Sequence, residues 1–174
     1  MHTDAELKVA SQYLVYHVKM FVETRLWLDQ NPSSGGWETQ RNGILEAFLV
    51  HARVLIDFVS NDRPGARPDD VIGIDYFHDN RSAFTPLTDK FLGEQADHIG
   101  GHLVHITKKP MPDLKSNQSW PVDKICSTLV PALQNFFNQV PAARVEAQAK
   151  AESLHQLARL SPPRVPPVSL SAST

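Results

Sequence analysis

The chain has 174 residues, 41% hydrophobic and 21% charged, which suffices for one globular core without disulfide or metal staples. Its 17 lysines and arginines against 19 aspartates and glutamates leave a formal charge of -2, so the general basic excess of a dedicated DNA-binding domain is excluded and any nucleic-acid role must be local. The single cysteine, Cys126, excludes an intramolecular disulfide, no apolar run approaches the roughly 20 residues of a membrane span, and Asp4 and Glu6 stand where a basic leader would begin. The expectation is a cytoplasmic protein with one domain over residues 1–160.

Thr3 with Glu6 three residues later forms a capping box, and Leu7, Ala10, Leu14, Val18 and Phe21 recur every three or four positions, predicting a first helix over about 4–29. Pro32, Ser33, Ser34, Gly35 and Gly36 end it. A second helix over about 38–60 follows from Ile44, Leu45, Phe48, Leu49, Ala52, Leu55, Ile56 and Val59, whose broad apolar side suits a bundle core. Residues 61–70 read as loop, and 71–77 as an extended strap across the bundle. Thr85 and Pro86 have the chemistry of an N-cap and first helical position, opening a third helix that stops at about 107, before Lys108, Lys109 and Pro110. Pro121 opens a fourth, with Ile125, Leu129, Leu133, Phe136 and Phe137 inward and a kink at Pro131. After Pro141, residues 142–160 predict a fifth, mostly exposed helix, and 161–174 a disordered Pro/Ser-rich tail. The fold class is therefore all-α: a largely antiparallel bundle of four main helices plus a less buried fifth.

The third helix carries the most pointed chemistry. At 100° per residue Glu94, His98, His102 and His105 share one arc of about 80° beside the apolar stripe of Leu92, Ile99, Leu103 and Ile106. Four such groups can hold a metal, meet a phosphate or partner surface, or simply satisfy one another at the margin of a core. Gly100 and Gly101 interrupt the same helix at a cost of about 0.5–1 kcal/mol each relative to alanine. Either a close approach by another group or a break near residue 100 would explain them.

On the second helix Arg53 and Asp57 are spaced to pair, and His51 lies at the core margin, from which it could join His102 or His105 across the bundle. A zinc site, or one for another divalent transition metal, would draw on His98, His102, His105 and Glu94, with His51 as a further donor, each ligand atom about 2.0–2.2 Å from the ion. That would make the chain a metal-binding bundle and a candidate metal-dependent hydrolase; the other readings require no cofactor. No nucleophile elbow, phosphate-binding loop, His-Glu-x-x-His or Cys-x-x-Cys is present, and Cys126 reads as core filler. Trp27, Trp37 and Trp120 fall near helix ends, where aromatics cover the ends of a bundle.

The run from Leu45 to Phe58 with His51, Arg53 and Asp57, then Asp69-Asp70-Val71 with Asp75-Tyr76-Phe77, then Ile99-Gly100-Gly101-His102-Leu103-Val104-His105-Ile106-Thr107, resembles a group of small uncharacterised bacterial helical-bundle proteins similar to the HEPN superfamily. The resemblance covers about residues 40–110. It implies a helical bundle that dimerises, in a toxin or defence context, and a metal-independent RNase motif of an arginine separated by four to six residues from a following histidine. Counting back from His105, the arginine positions hold His98, Ile99 and Gly100, and none precedes His102 at that distance. The carry-over is limited to His105, with His102 standing in for the missing cation. The resemblance thus implies a homodimer with a degenerate motif, His102 and His105 as its central residues and His51, Arg53 and Asp57 as binding residues, taking RNA, a nucleotide or a partner protein. Whether it is an enzyme stays open, as does a non-catalytic structural or interaction role carried by the fifth helix and tail.

Overall fold

A computed structural model describes residues 2–32, 38–60, 67, 69–101 and 120–160. The expected all-α class is borne out. The described residues form α1 (Asp4–Gln30), α2 (Glu38–Ser60), α3 (Lys90–Ile99), α4 (Val122–Gln139) and α5 (Ala147–Ala158), with short 3-10 turns at Gly73–Phe77 and Arg81–Ala83 and no strand. The capping box at Thr3 is formed: the Glu6 N–H donates to Thr3 Oγ1 at 3.3 Å and the Thr3 N–H to Glu6 Oε2 at 2.7 Å. No helix among the described residues is long and apolar enough to cross a membrane.

α1 and α2 run antiparallel, with Phe21 stacked on Phe48 at 5.0 Å and His17 against His51. α2 also packs on α3 and α4, and α5 closes against α1 and α4. Each helix contributes its periodic apolar side to one core, α5 the least, with Ala149, Ser153 and Leu157 buried. Phe136 sits among Phe58 (4.9 Å), Phe137 (5.2 Å), Tyr76 (5.4 Å), Phe77 (5.9 Å) and Phe84 (6.2 Å) in mostly edge-to-face arrangements. Pro131 lies on the exposed side of α4, which continues through it.

The strap expected at 71–77 is instead a buried 3-10 turn. Asp75 accepts the Ile72 N–H at 3.0 Å and donates its own N–H to the Ile72 carbonyl at 3.0 Å, which winds the chain locally. The Tyr76 hydroxyl then donates to the Leu7 carbonyl of α1 at 3.0 Å. Gly73 permits the close packing, since a Cβ there would stand 2.8 Å from Phe84 Cζ and 3.0 Å from the Phe58 carbonyl oxygen.

The start of α3 is also corrected. Thr85 and Pro86 lie in an extended segment, held by the Leu87 N–H donating at 2.9 Å to the Val59 carbonyl in the last turn of α2. The cap is Asp89, whose carboxylate accepts the Leu92 N–H at 2.9 Å. At the other end α3 stops at Ile99, and Gly100 and Gly101 continue as a wider π-type turn. The end expected at 107 and the 161–174 tail lie outside the described residues.

The fifth helix begins at Ala147 rather than 142. Residues 142–146 turn around Arg144, whose side chain is 5% exposed: Nε donates to Asp4 Oδ1 at 2.9 Å, Nη1 to the Tyr76 carbonyl at 2.8 Å, and Nη2 to Asp79. His78 joins the cluster, its Nδ1 2.6 Å from Asp79 Oδ1. These bonds tie the start of α1, the Gly73–Phe77 turn and the α4–α5 connection at one point.

Candidate functional site where α2 meets α3

Arg53 crosses from α2 to the end of α3. Its Nη1 donates at 3.1 Å to the Ala96 carbonyl, which also accepts the Gly100 N–H at the C-terminus of α3. The guanidinium reaches Gly100 end-on through Nη1: a Cβ there would stand 1.5 Å from Nη1 and 2.7 Å from Cζ. One of the two glycines therefore has a physical reason, the close approach of a cation, while a Cβ on Gly101 would meet none of the described residues within 4 Å. Arg53 Nε faces Asp57 Oδ2 at 3.5 Å, so the expected i, i+4 pair forms. Burial pushes the Asp57 carboxyl above its usual range, only partly opposed by Arg53. With five N–H groups on a side chain that is one-third exposed, Arg53 can keep both contacts and still present donors to an anion.

On α3 the described half of the histidine face is split. Glu94 is exposed and pairs with Lys90 at 3.7 Å. His98 lies against the Trp120 ring at 4.8 Å, which accounts for this tryptophan at the mouth of α4. His102 and His105 lie outside the described residues, so the one-face geometry of all four groups does too. Among the described residues no group of three or more His, Cys, Asp or Glu side chains is placed to hold a metal. Cys126 is partly buried in the core margin, and burial pushes its thiol up to about 12, as expected of core filler rather than a nucleophile.

His51 faces α1 among the described residues, while the His102 and His105 it was expected to join lie outside them. It stands two positions before Arg53, a turn of about 200°, so the two side chains leave α2 on different sides. His51 is buried against α1, its Nδ1 2.9 Å from His17 Nδ1, with the edge of Tyr16 over both rings at 5.4 and 5.5 Å. One ring must donate and the other accept, so the contact needs at least one neutral imidazole. Burial lowers the pKa of His17; burial and then the neighbouring His17 lower that of His51.

Both shifts lie below 6.5, so the folded state keeps its full stability above that pH and loses it as the unfolded chain takes up protons and pH falls through the folded values. Urea midpoints are expected to fall between pH 7.5 and 5.5, and the fall should shrink in His17→Phe/His51→Phe. An unchanged acid limb in that variant would assign the loss to other groups. Neither His17 nor Arg144 was singled out by spacing, because both meet partners far away in sequence: His51 for the first, Asp4 and Asp79 for the second. Compared with protein-family models, curated proteins and solved structures, the chain matches none of them.

Proposed function

We propose that the chain is a HEPN-like helical protein, homodimeric and of toxin or defence context, that binds RNA or a nucleotide at the end of α3, with Arg53 as the phosphate-binding cation and His102 and His105 as its polar neighbours. The supporting observation is the Arg53 guanidinium seated on Gly100, two residues before His102 and five before His105. The motif that this stretch resembles needs an arginine that α3 itself lacks. An arginine crossing from α2 supplies a permanent planar cation at the entrance to the same stretch. Being unable to lose its proton at ordinary pH, it acts by charge and by bidentate hydrogen bonding, while imidazoles are the groups able to exchange a proton. With a net charge of -2 the chain has no general attraction for nucleic acid, so affinity must come from this local cation.

A labelled single-stranded RNA oligonucleotide titrated at low salt, followed by fluorescence anisotropy, tests this. Arg53→Gln and the double variant His102→Ala/His105→Ala are each expected to weaken binding roughly tenfold, with the salt slope falling by about one phosphate contact for Arg53→Gln. Gly100→Ala keeps every charge but displaces the guanidinium, and should act in the same direction. Wild-type binding that is absent, or unaltered in all three, would overturn the proposal. A non-catalytic interaction role is the second reading, favoured by the large exposed apolar side chains of the described residues all lying on α1 and α2.

A further inference from the structure

Val9, Tyr13 and Tyr16 of α1 and Val50 and Val54 of α2 are the large apolar side chains left exposed among the described residues, Tyr13 at 69% and Tyr16 at 52%. At 100° per residue the first three form one stripe on the side of α1 opposite Val18 and Phe21, and the other two stand opposite Ala52 and Val59 on α2. Tyr16 reaches across to His51, so the two stripes meet over the seam that His17 and His51 fill. Scattered exposed apolar residues need no explanation, whereas a set gathered on two adjacent helices marks a surface that another body covers.

Charge at the rims identifies that body. Lys8 and Lys19 stand eleven residues apart on the far edge of α1; Glu46 and Asp57 stand eleven apart on the far edge of α2, about 16 Å in both cases. The antiparallel contacts of His17 with His51 and of Phe21 with Phe48 put Lys19 within about one turn of the level of Glu46, and Lys8 equally near that of Asp57. Within one molecule the two rims lie on opposite sides of the face. Their present ion pairs are long, Lys8 to Glu146 at 4.0 Å and Asp57 to Arg53 at 3.5 Å; Glu23, the acid on the α1 edge, is taken up by Arg159, and Arg53, the cation on the α2 edge, is turned to the Ala96 carbonyl and Gly100 of α3.

We infer that a second copy of this chain docks on the α1–α2 face, about a two-fold axis running along the seam, so that α1 of each copy lies over α2 of the other. That operation brings the basic rim of one molecule onto the acidic rim of the next at matching spacing, Lys19 to Glu46 and Lys8 to Asp57, twice each, and covers the tyrosines and valines of both copies. A symmetric interface must be complementary to itself, and this face has the required pattern. The inference rests on the homodimer of the reading above and adds the surface that makes it.

Sedimentation velocity on the full chain across the micromolar range tests it. The wild type should dimerise, and Tyr13→Glu should weaken the dimer at least roughly tenfold by placing two charges in its apolar centre. Lys19→Glu and Glu46→Lys should each weaken it roughly tenfold, because each homodimer then sets like charges together twice. An equimolar mixture of the two should recover wild-type affinity, since a mixed dimer has Lys opposite Glu at both places. These positions are exposed, and unchanged thermal melts would show that folding is intact. A dimer indifferent to the three substitutions, or a mixture no tighter than its components, overturns this face alone; a monomeric wild type overturns the homodimer as well.

Discussion

Phe136→Ala is expected to lower the free energy of unfolding by about 3–5 kcal/mol, measured by urea denaturation. Phe136 is 1% exposed and touches the aromatic rings of α2, the Gly73–Phe77 turn and α4 together, so its loss opens a cavity that no single element can close by shifting. An effect of this size is a large part of the roughly 5–15 kcal/mol that holds a domain folded. Phe136→Leu keeps most of the volume and should cost no more than about 1.5 kcal/mol. Equal losses in the two variants would mean that the ring does not organise the core.

Arg144→Met comes next in size. The methionine replaces the aliphatic stem, but the Tyr76 carbonyl loses its donor in a buried setting, a penalty of about 1–3 kcal/mol. The two carboxylates behave differently because water reaches both. Hydrogen bonds from Arg144 and then His78 hold Asp4 and Asp79 below the usual carboxylate range, against an opposing effect of burial. Their contribution is therefore complete above pH 3.8 and disappears as pH falls through the lower folded values. The difference in stability between wild type and Arg144→Met should be constant from pH 7 to 5 and narrow in stronger acid. A difference that is negligible at pH 7 would show that the cluster does not pin the three segments together.

Much of the fold was legible because helix periodicity is local. α1 was expected over 4–29 and runs Asp4–Gln30, and α2 was expected over 38–60 and runs Glu38–Ser60, since core stripes, the capping box and the turn residues all act within a few positions. α3 departed from expectation at its start because Thr85-Pro86 is a cap signal of ordinary strength, and a distant carbonyl, that of Val59, held the chain extended until Asp89. The start of α5 moved for the same kind of reason, through Arg144 reaching Asp4 and Tyr76.

The candidate site divides along the same line. The pairing of Arg53 with Asp57 follows from a spacing of four on one helix and was foreseeable. That Gly100 accommodates Arg53, and that His51 turns to His17 and away from α3, depended on which helices are neighbours and how each is rotated about its axis. By itself the sequence determined the all-α class, the two long helices and the inward face of each, because hydrogen bonds and apolar stripes repeat every 3.6 residues along one segment. Only the tertiary structure decided the partners of the polar side chains, because a 100° step per residue sends neighbours such as His51 and Arg53 to different helices, and side-chain packing over the whole core sets which helix stands there.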